Sequence, residues 1–374
     1  MNREALLVLG MHRSGTSAVA GLLIRLGAQG PKTLMQADAG NPEGYWESAA
    51  FYEFHERLLR TAGSRWDAYT RLDPDWFQSR IPADLHDECR RLLQAEFGDA
   101  PRFVLKDPRM CRFVPFWLRT LKNEAITPVA VLVYRNPLEV ARSLEARGSF
   151  ERERSLLIWL RHVLDAEFDT RSTRRTFVRY HDVLGNWKLV AQGIARDLGE
   201  TWPARSSADE VEIERFLNPG LRHQRADGDA MDVAPVLADW VRRAWAALEG
   251  LHQRDPNQVT KAMDTLDVVR QEFDRATAVF GRLAEQRTDD VQAERDGLRA
   301  RFDHLEREHR GLLSRTAGLE ALRNDLERQV QTLEQHADSL QRELSAAQYG
   351  ANALRESLSW RVTAPLRAAL RIFR

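Results

Sequence analysis

The stretch ALLVLGMHRSGTS, residues 5–17, decides the fold, because an apolar run of strand length leads through a loop bounded by two glycines into a helical pattern. The loop has the spacing G-x-x-x-x-G-K-[ST] of nucleotide-binding loops, except that Thr16 stands where lysine would reach a triphosphate. Arg13 places a cation inside the loop instead. Backbone N–H groups at the start of a helix favour an anion. The stretch therefore predicts a phosphate-binding loop that does not serve ATP hydrolysis.

The composition excludes several classes of protein. The 374 residues are 43% hydrophobic, which supports at least one globular domain, and 55 basic side chains balance 55 acidic ones. That balance gives no overall field for binding nucleic acid. Cys89 and Cys111 are too few for a disulfide framework or a zinc site, so we expect a reducing compartment and no metal. No apolar run has the length of a membrane span and no signal peptide is recognisable, which predicts a cytoplasmic protein.

Runs of strand length alternate with helical patterns over the first part of the chain, which is typical of a parallel α/β sheet. Strands are predicted at 5–9, 103–105, 129–134 and 176–178, and helices at 18–26, 139–145, 155–168 and 187–198. The fold class is therefore a P-loop-type parallel sheet flanked by helices, followed by a long C-terminal coiled-coil helix. Ligands of such sheets bind at the carboxyl ends of the strands. The candidate site residues just after the runs are Arg13, Lys106, Asp107, Arg135 and Tyr180.

The second informative segment is YRNPLEVARSL, residues 134–144. Its buried strand ends in Arg135, which aims a guanidinium at the crevice where nucleoside triphosphatases place a metal-holding aspartate. This strand end therefore prefers an anion to magnesium. Ser143 follows on the next helix and can donate its hydroxyl to the same anion. Together with the lysine-free loop, the segment predicts two separate anion sites.

With these motifs the chain resembles 3′-phosphoadenylyl-sulfate-dependent sulfotransferases, of the bacterial type related to enzymes that sulfate carbohydrates. In that family a loop of the form R-S-G-T-[ST] holds the 5′-phosphosulfate of the co-substrate. The loop matches this chain at Arg13, Ser14, Gly15, Thr16 and Ser17.

Two further motifs carry the resemblance. In the family, an arginine at a strand end and a serine eight residues later hold the 3′-phosphate, which implies this role for Arg135 and Ser143. A later R-Y-E-D-L motif matches residues 179–183, with His181 in place of the glutamate, and implies that Tyr180 belongs to the co-substrate site.

The resemblance implies one reaction. An acceptor hydroxyl attacks sulfur in line, and adenosine 3′,5′-bisphosphate leaves. Arg13, Lys106 and the loop amides would stabilise the charge on the bridging oxygen and on the phosphate. No metal is required for this chemistry.

The general base is where the sequence departs from part of the family. Members that act on small phenols and steroids carry a histidine two residues after the lysine of the second strand, where this chain has Pro108. Carbohydrate-directed and tyrosine-directed members use a glutamate downstream of the phosphate loop, and the segment 41–48 supplies Glu43 and Glu47. We expect the base to be Glu47, then Glu43, then Asp107. For each of them, a surface carboxylate or a buried partner of a nearby cation is the alternative.

Leucines recur at intervals of seven residues in the last third of the chain, at Leu298, Leu305, Leu312, Leu319, Leu326, Leu333 and Leu340. Leucine at position d with mixed or polar residues at position a favours a two-stranded coil. In parallel register, Arg301 faces Glu306 and Arg315 faces Glu320, and both pairs are attractive. We therefore expect a parallel homodimer. The alternative is a long solvated helix that packs on its own domain.

The last segment, residues 359–374, combines four arginines with apolar side chains and contains no acidic residue. This composition suits a helix on an anionic membrane surface or a peptide that binds a partner. The alternative is a frayed terminus. The segment also resembles a terminal signature of bacterial proteins that build surface polysaccharides.

The expected organisation is a sulfotransferase-like P-loop α/β domain at 1–225, a helical extension at 226–285, a coiled coil at 286–358 and a basic amphipathic tail at 359–374.

The sequence thus predicts a sulfotransferase whose acceptor is a carbohydrate hydroxyl of a surface polysaccharide or glycolipid. The protein is expected in the cytoplasm, and peripheral binding to the inner face of the cytoplasmic membrane is a further option. A second hypothesis is a P-loop kinase of a small molecule, against which Thr16 and Arg135 both argue. A third is an inactive sulfotransferase-like scaffold for envelope polysaccharide assembly. The intact motif residues argue against that hypothesis.

Overall fold

In the computed structural model, four parallel strands form the sheet that the sequence predicts. The order in the sheet is β2-β1-β3-β4, for β1 (Arg3–Leu9), β2 (Arg102–Lys106), β3 (Ile126–Tyr134) and β4 (Arg174–Arg179). Val8 lies opposite Lys106, and Tyr134 lies opposite Arg179, so the carboxyl ends of the strands meet at one edge. The parallel α/β class is therefore confirmed.

The structure describes residues 3–37, 41, 43–146, 150–199, 201–204, 206–217, 233–253 and 255–367. Pro42 and the tail residues 368–374 belong to segments discussed above but lie outside these ranges. The chain divides into two compact units, Met1–Arg287 and Thr288–Arg374. None of the described helices combines the length and the apolar composition needed to cross a membrane.

Helices cover both faces of the sheet, and their ends follow local rules. Their bounds are α1 Thr16–Arg25, α2 Ala49–Thr61, α3 Ala83–Phe97, α4 Val114–Asn123, α5 Pro137–Glu145, α6 Arg152–Asp169, α7 Tyr180–Gly185, α8 Trp187–Leu198, α9 Ser207–Phe216, α10 Pro235–Gln253, α11 Pro256–Glu356 and α12 Leu358–Val362. A π-helical turn spans Trp76–Arg80, and a 3₁₀ helix spans Pro108–Arg112. The Asn136 side chain caps the start of α5, and Gly199 ends α8 in the left-handed conformation.

Alternate residues of the buried strands serve two cores. Leu6, Val8 and Val131 pack on one face with side chains of α1, α8 and α9. Leu7 and Leu132 pack on the opposite face with side chains of α4, α6 and α10. A strand that is apolar on both faces reads as a continuous hydrophobic run, which is why these strands are visible in the sequence.

The helix α11 begins in the first unit. Val269 and Phe273 are fully buried there, and the Glu285 carboxylate accepts hydrogen bonds from the backbone N–H groups of Tyr69 at 2.6 Å and Thr70 at 2.8 Å. Farther along α11, in the second unit, the seven leucines of the heptad pattern are between 53% and 69% exposed in the single chain. These leucines therefore form an exposed apolar stripe along that part of the helix.

Candidate functional site

The loop between β1 and α1 contains two residues in the left-handed conformation. Gly15 has φ = 92° and Arg13 has φ = 70°. A Cβ atom at Gly15 would lie 2.1 Å from Cδ2 of Tyr180, which is the first residue of α7. The tyrosine ring therefore packs directly on the loop backbone, and only glycine satisfies both the backbone angle and this close approach.

Two amides of the loop donate to acceptors within the protein itself. The N–H of Gly10 donates to Sγ of Cys111 at 3.1 Å, and the N–H of Ser14 donates to the carbonyl of Met11 at 3.0 Å. The hydroxyl oxygen of Ser14 is buried and has no hydrogen-bond partner within the described ranges. A buried hydroxyl beside a helix N-terminus is well placed to donate to an anion.

A cavity of about 160 Å³ lies at the carboxyl ends of the strands. Most of the residues predicted from the sequence line it, namely Arg13, Gly15, Thr16, Ser17, Glu43, Glu47, Lys106, Arg135 and Tyr180. Ser14 and Asp107 are chain neighbours of lining residues, and Ser143 contacts Arg13. The structure therefore places nine of the twelve predicted residues in the wall of one cavity and the other three next to residues that line it.

The two predicted anion sites are in direct contact. Nε of Arg13 donates to Oγ of Ser143 at 2.8 Å, and Nη1 of Arg135 donates to the carbonyl of Arg13 at 3.2 Å. Nε of Arg135 donates at 2.8 Å to the buried carboxylate of Glu139, which lies in the first turn of α5. The Arg135 guanidinium also lies 5.0 Å from the centre of the Tyr180 ring. These contacts tie Arg13, Arg135 and Ser143 to one another beside the cavity.

Lys106 and Glu47 form a buried ion pair at the cavity wall. Nζ of Lys106 donates to the Glu47 carboxylate, to Oγ of Ser17 at 3.2 Å and to the carbonyl of Tyr45 at 3.0 Å. Burial raises the pKa of Glu47, although the Lys106 ammonium opposes this shift. Trp46, which lies between Tyr45 and Glu47 in the chain, has a left-handed backbone with φ = 58°. This turn places Tyr45 and Glu47 beside Lys106.

Asp107 has a different environment from Glu47. Oδ1 accepts from the backbone N–H of Arg109 at 2.9 Å and from its guanidinium at 3.1 Å, and Oδ2 lies 2.8 Å from Nδ1 of His55. Burial alone would raise the pKa of Asp107, but Arg109 and His55 hold it well below its usual range. Asp107 thereby caps the 3₁₀ helix and stays ionised, with both oxygens engaged.

Several residues that line the cavity carry no signal in the sequence that assigns them a role. Phe216 and Leu217, at the end of α9, close one side of it, and no motif or periodicity marks them. His12 lines it as well, and its one signal in the sequence is its place in the loop next to Arg13. Among the described residues, no group of three or more His, Cys, Asp or Glu side chains is arranged to hold a metal ion.

The charges of the cavity suit a ligand with more than one anionic group. Three cations, Arg13, Lys106 and Arg135, line it together with the carboxylates of Glu43 and Glu47. In a space shielded from bulk water, fixed cations bind phosphate or sulfate groups more strongly than they would in water. Lys106 is paired with Glu47, and Arg135 is paired with Glu139, so an anionic ligand would share or displace these carboxylate contacts.

No protein-family model matches the chain, and no curated protein matches it significantly. Nine chains of solved structures match it, including the following three. The sulfotransferase domain of the Synechococcus PCC 7002 olefin synthase is 17% identical over 64% of this chain and 87% of that domain, with a TM-score of 0.35. The sulfotransferase domain of the curacin biosynthetic pathway is 12% identical over 65% of this chain and 98% of that domain, also with a TM-score of 0.35. Retinol dehydratase in complex with androsterone and the inactive cofactor PAP is 15% identical over 71% of this chain and 80% of that protein, with a TM-score of 0.29.

Proposed function

We propose that the protein is a sulfotransferase that moves the sulfuryl group of 3′-phosphoadenylyl sulfate to an acceptor hydroxyl. The observation that carries this proposal is the direct contact between two anion sites. The hydrogen bond from Arg13 to Ser143 joins the lysine-free phosphate loop to the site formed by Arg135 and Ser143. A ligand that fills both anion sites must carry two separate anionic groups. A nucleotide with a 3′-phosphate and a 5′-phosphosulfate has them, whereas the phosphates of ATP form a single chain.

Under this proposal the residues divide between the two ends of the co-substrate. Arg13 and the loop residues 14–17 bind the 5′-phosphosulfate at the N-terminus of α1, where the helix dipole favours negative charge. Arg135 and Ser143 bind the 3′-phosphate, with the Tyr180 ring holding the Arg135 guanidinium in place.

The reaction is an in-line displacement at sulfur. A bond forms between the acceptor oxygen and sulfur while the bond from sulfur to the bridging oxygen breaks, and adenosine 3′,5′-bisphosphate leaves with the electron pair. Lys106 stabilises the negative charge that develops on the bridging oxygen. As Lys106 turns toward that oxygen, Glu47 is released from the ion pair and takes the proton of the acceptor hydroxyl.

Three carboxylates compete for the role of base, and their surroundings favour Glu47. Both oxygens of Asp107 are engaged, and its low pKa makes it a poor proton acceptor. Glu43 lines the cavity, but its backbone carbonyl accepts from the Trp46 indole, which ties the residue to the turn rather than to the lysine. Glu47 alone among the three contacts Lys106, and burial raises its pKa toward the working range of a base.

The acceptor proposed is a carbohydrate hydroxyl of a surface polysaccharide or glycolipid. The resemblance of the motifs to carbohydrate-directed enzymes and of the tail to polysaccharide-assembly proteins supports this choice. The described part of the tail is basic and exposed, with the Arg367 guanidinium 3.7 Å from the Trp360 ring and with Leu366 in contact with solvent. Such a segment suits attachment to the inner face of the cytoplasmic membrane, where lipid-linked glycans are accessible.

Calorimetry and a transfer assay test the proposal. We expect the protein to bind adenosine 3′,5′-bisphosphate in the absence of metal, not to bind ATP with magnesium, and to transfer labelled sulfate from the donor to a cell-envelope glycan. Glu47→Gln is the matched control, because it removes the proposed base while leaving both arginines, so binding persists and transfer falls at least about 100-fold. ATP binding would favour the kinase. Bisphosphate binding without any transfer would favour the inactive scaffold.

We also propose that the protein is a parallel homodimer through α11. Burial of seven half-exposed leucines supplies on the order of 10 kcal/mol before the costs of association. The facing pairs Arg301–Glu306 and Arg315–Glu320 add charge complementarity in parallel register. We call the row of seven leucines the seam. A second copy of α11 has leucines at the same seven-residue spacing and can therefore pair with the seam along its whole length.

A seam variant tests the dimer. Leu326→Lys combined with Leu333→Lys places like charges opposite each other at two d positions, and light scattering should then give the monomer mass of 42.9 kDa instead of twice that value. Ala321→Lys introduces the same side chain on the outer face of the helix and should leave the dimer intact. A wild-type protein that is monomeric, or a double variant that stays dimeric, would contradict the proposal.

A further inference from the structure

His12 lines the cavity beside Arg13, Lys106 and Pro108, and the function proposed above gives it no role. Its Nε2 atom is shielded from solvent and has no hydrogen-bond partner in the part of the chain that the structure describes. A buried polar atom without a partner costs about 1–3 kcal/mol. Because other atoms of His12 line the cavity, a ligand bound there is a candidate for the missing partner.

The imidazole of His12 is held in place by its neighbours. The Trp66 ring packs on it with a centroid distance of 4.4 Å, and Trp66 packs in turn on Phe150 at 5.5 Å. The His162 ring meets its edge at 6.3 Å. A side chain packed in this way loses little rotamer freedom when its nitrogen gains a partner.

The surroundings also fix the charge of this ring. Burial foremost, and then the cations Arg109 and Lys106 and the His162 ring, lower the pKa of His12 well below its ordinary value, against the opposing carboxylate of Asp107. The ring is therefore neutral near pH 7 and carries one N–H group. A neutral donor among cations serves an anionic ligand oxygen without the cost of burying another charge.

Resting on the proposed function, we propose that His12 donates an Nε2–H hydrogen bond to an oxygen of the transferring sulfuryl group. His12 immediately precedes Arg13, the residue assigned to the phosphosulfate, and both side chains line the same cavity. Pro108, on the neighbouring wall, has no backbone N–H to offer. His12 is thereby a catalytic residue that contacts the sulfuryl oxygens. These oxygens carry negative charge while sulfur is transferred from the bridging oxygen to the acceptor oxygen.

The competing explanation is an internal hydrogen-bond bridge. Nδ1 of His162 donates to the carbonyl of Ile158 at 2.9 Å, so its Nε2 carries a lone pair, and this atom is also buried and without a partner in the described chain. One water molecule between the two Nε2 atoms would satisfy both rings. In that case His12 would support the fold and would not sense the sulfuryl group.

A comparison of two nucleotides separates these explanations, because 3′-phosphoadenylyl sulfate carries the sulfuryl group and adenosine 3′,5′-bisphosphate does not. In His12→Leu we expect the dissociation constant of the sulfated nucleotide to rise about tenfold, which corresponds to the loss of one charge-assisted hydrogen bond, while that of the bisphosphate stays within about twofold. His12→Gln retains a side-chain N–H donor and should recover most of the difference. His162→Leu removes an imidazole of the same cluster and should change neither constant.

Each outcome decides between the explanations. A His12→Leu variant that weakens both nucleotides equally, or neither, overturns the sulfuryl contact. A lowered melting temperature in both histidine variants with unchanged nucleotide affinities identifies the internal bridge. A wild-type protein that fails to bind the bisphosphate overturns the proposed function itself, which keeps the two failures distinct.

Discussion

An Arg135→Ala variant is expected to lose at least about 100-fold in affinity for adenosine 3′,5′-bisphosphate, as measured by calorimetry. A guanidinium binds phosphate through parallel charge-assisted hydrogen bonds, each of which contributes about 1.5–3 kcal/mol, so two of them correspond to a factor of about 100 or more. The side chain also donates to the carbonyl of Arg13 at 3.2 Å. Its removal therefore disturbs the loop at the other end of the nucleotide as well.

The control for this variant must separate binding from folding. Glu139 is 2% exposed, and the alanine variant takes away the guanidinium that its carboxylate contacts at 2.8 Å. Arg135→Ala combined with Glu139→Gln removes that buried charge and should restore stability without restoring binding. Arg196→Ala removes a cation from a side chain that is 67% exposed and should leave the affinity unchanged. An Arg135→Ala protein that folds and binds as wild type would rule out the 3′-phosphate site.

A Gly15→Ala variant is expected to lose nucleotide binding and to have a free energy of unfolding lower by about 2–5 kcal/mol. The left-handed backbone costs a non-glycine residue about 1–2 kcal/mol, and the added methyl group would lie 2.1 Å from the Tyr180 ring. Either the loop or the ring must move, and both line the cavity. Denaturant titration measures the stability, and calorimetry with the bisphosphate measures the binding.

Gly63 provides the matched control for this substitution. It has φ = 62°, but a Cβ atom there would have no neighbour within 4 Å. Gly63→Ala therefore introduces comparable backbone strain without a collision and should cost only about 1–2 kcal/mol, with normal nucleotide binding. If Gly15→Ala and Gly63→Ala behave alike, the close contact with Tyr180 does not shape the loop.

The elements of the fold were predictable because their signals are local. The helix predicted at 187–198 is observed at Trp187–Leu198, where Asn186 caps its start and Gly199 terminates it. The third strand is buried on both faces and therefore reads as an uninterrupted apolar run. The rule that ligands bind at the carboxyl ends of parallel strands then pointed to Lys106 and Arg135, which line the observed cavity.

The pairings inside the site were not predictable, because they depend on how distant segments pack. Arg13 and Ser143 are 130 positions apart, and Lys106 and Glu47 are 59 positions apart. The sequence analysis allows Glu47 to be the buried partner of a nearby cation, but no sequence pattern selects Lys106 as that cation. The sequence gives equally little sign that Nε2 of His12 has no hydrogen-bond partner among the residues that the structure describes.

The hydrogen bond between the Gly10 amide and Cys111 has a consequence for the response of the protein to oxidants. A thiol reacts as its thiolate, and burial raises the pKa of Cys111 to about 12, although the Gly10 amide opposes this shift. The sulfur that anchors the first amide of the loop is therefore both enclosed and protonated. The phosphate loop is thereby insulated from thiol-modifying agents and from changes in the redox state of its surroundings, even though a cysteine is part of its support.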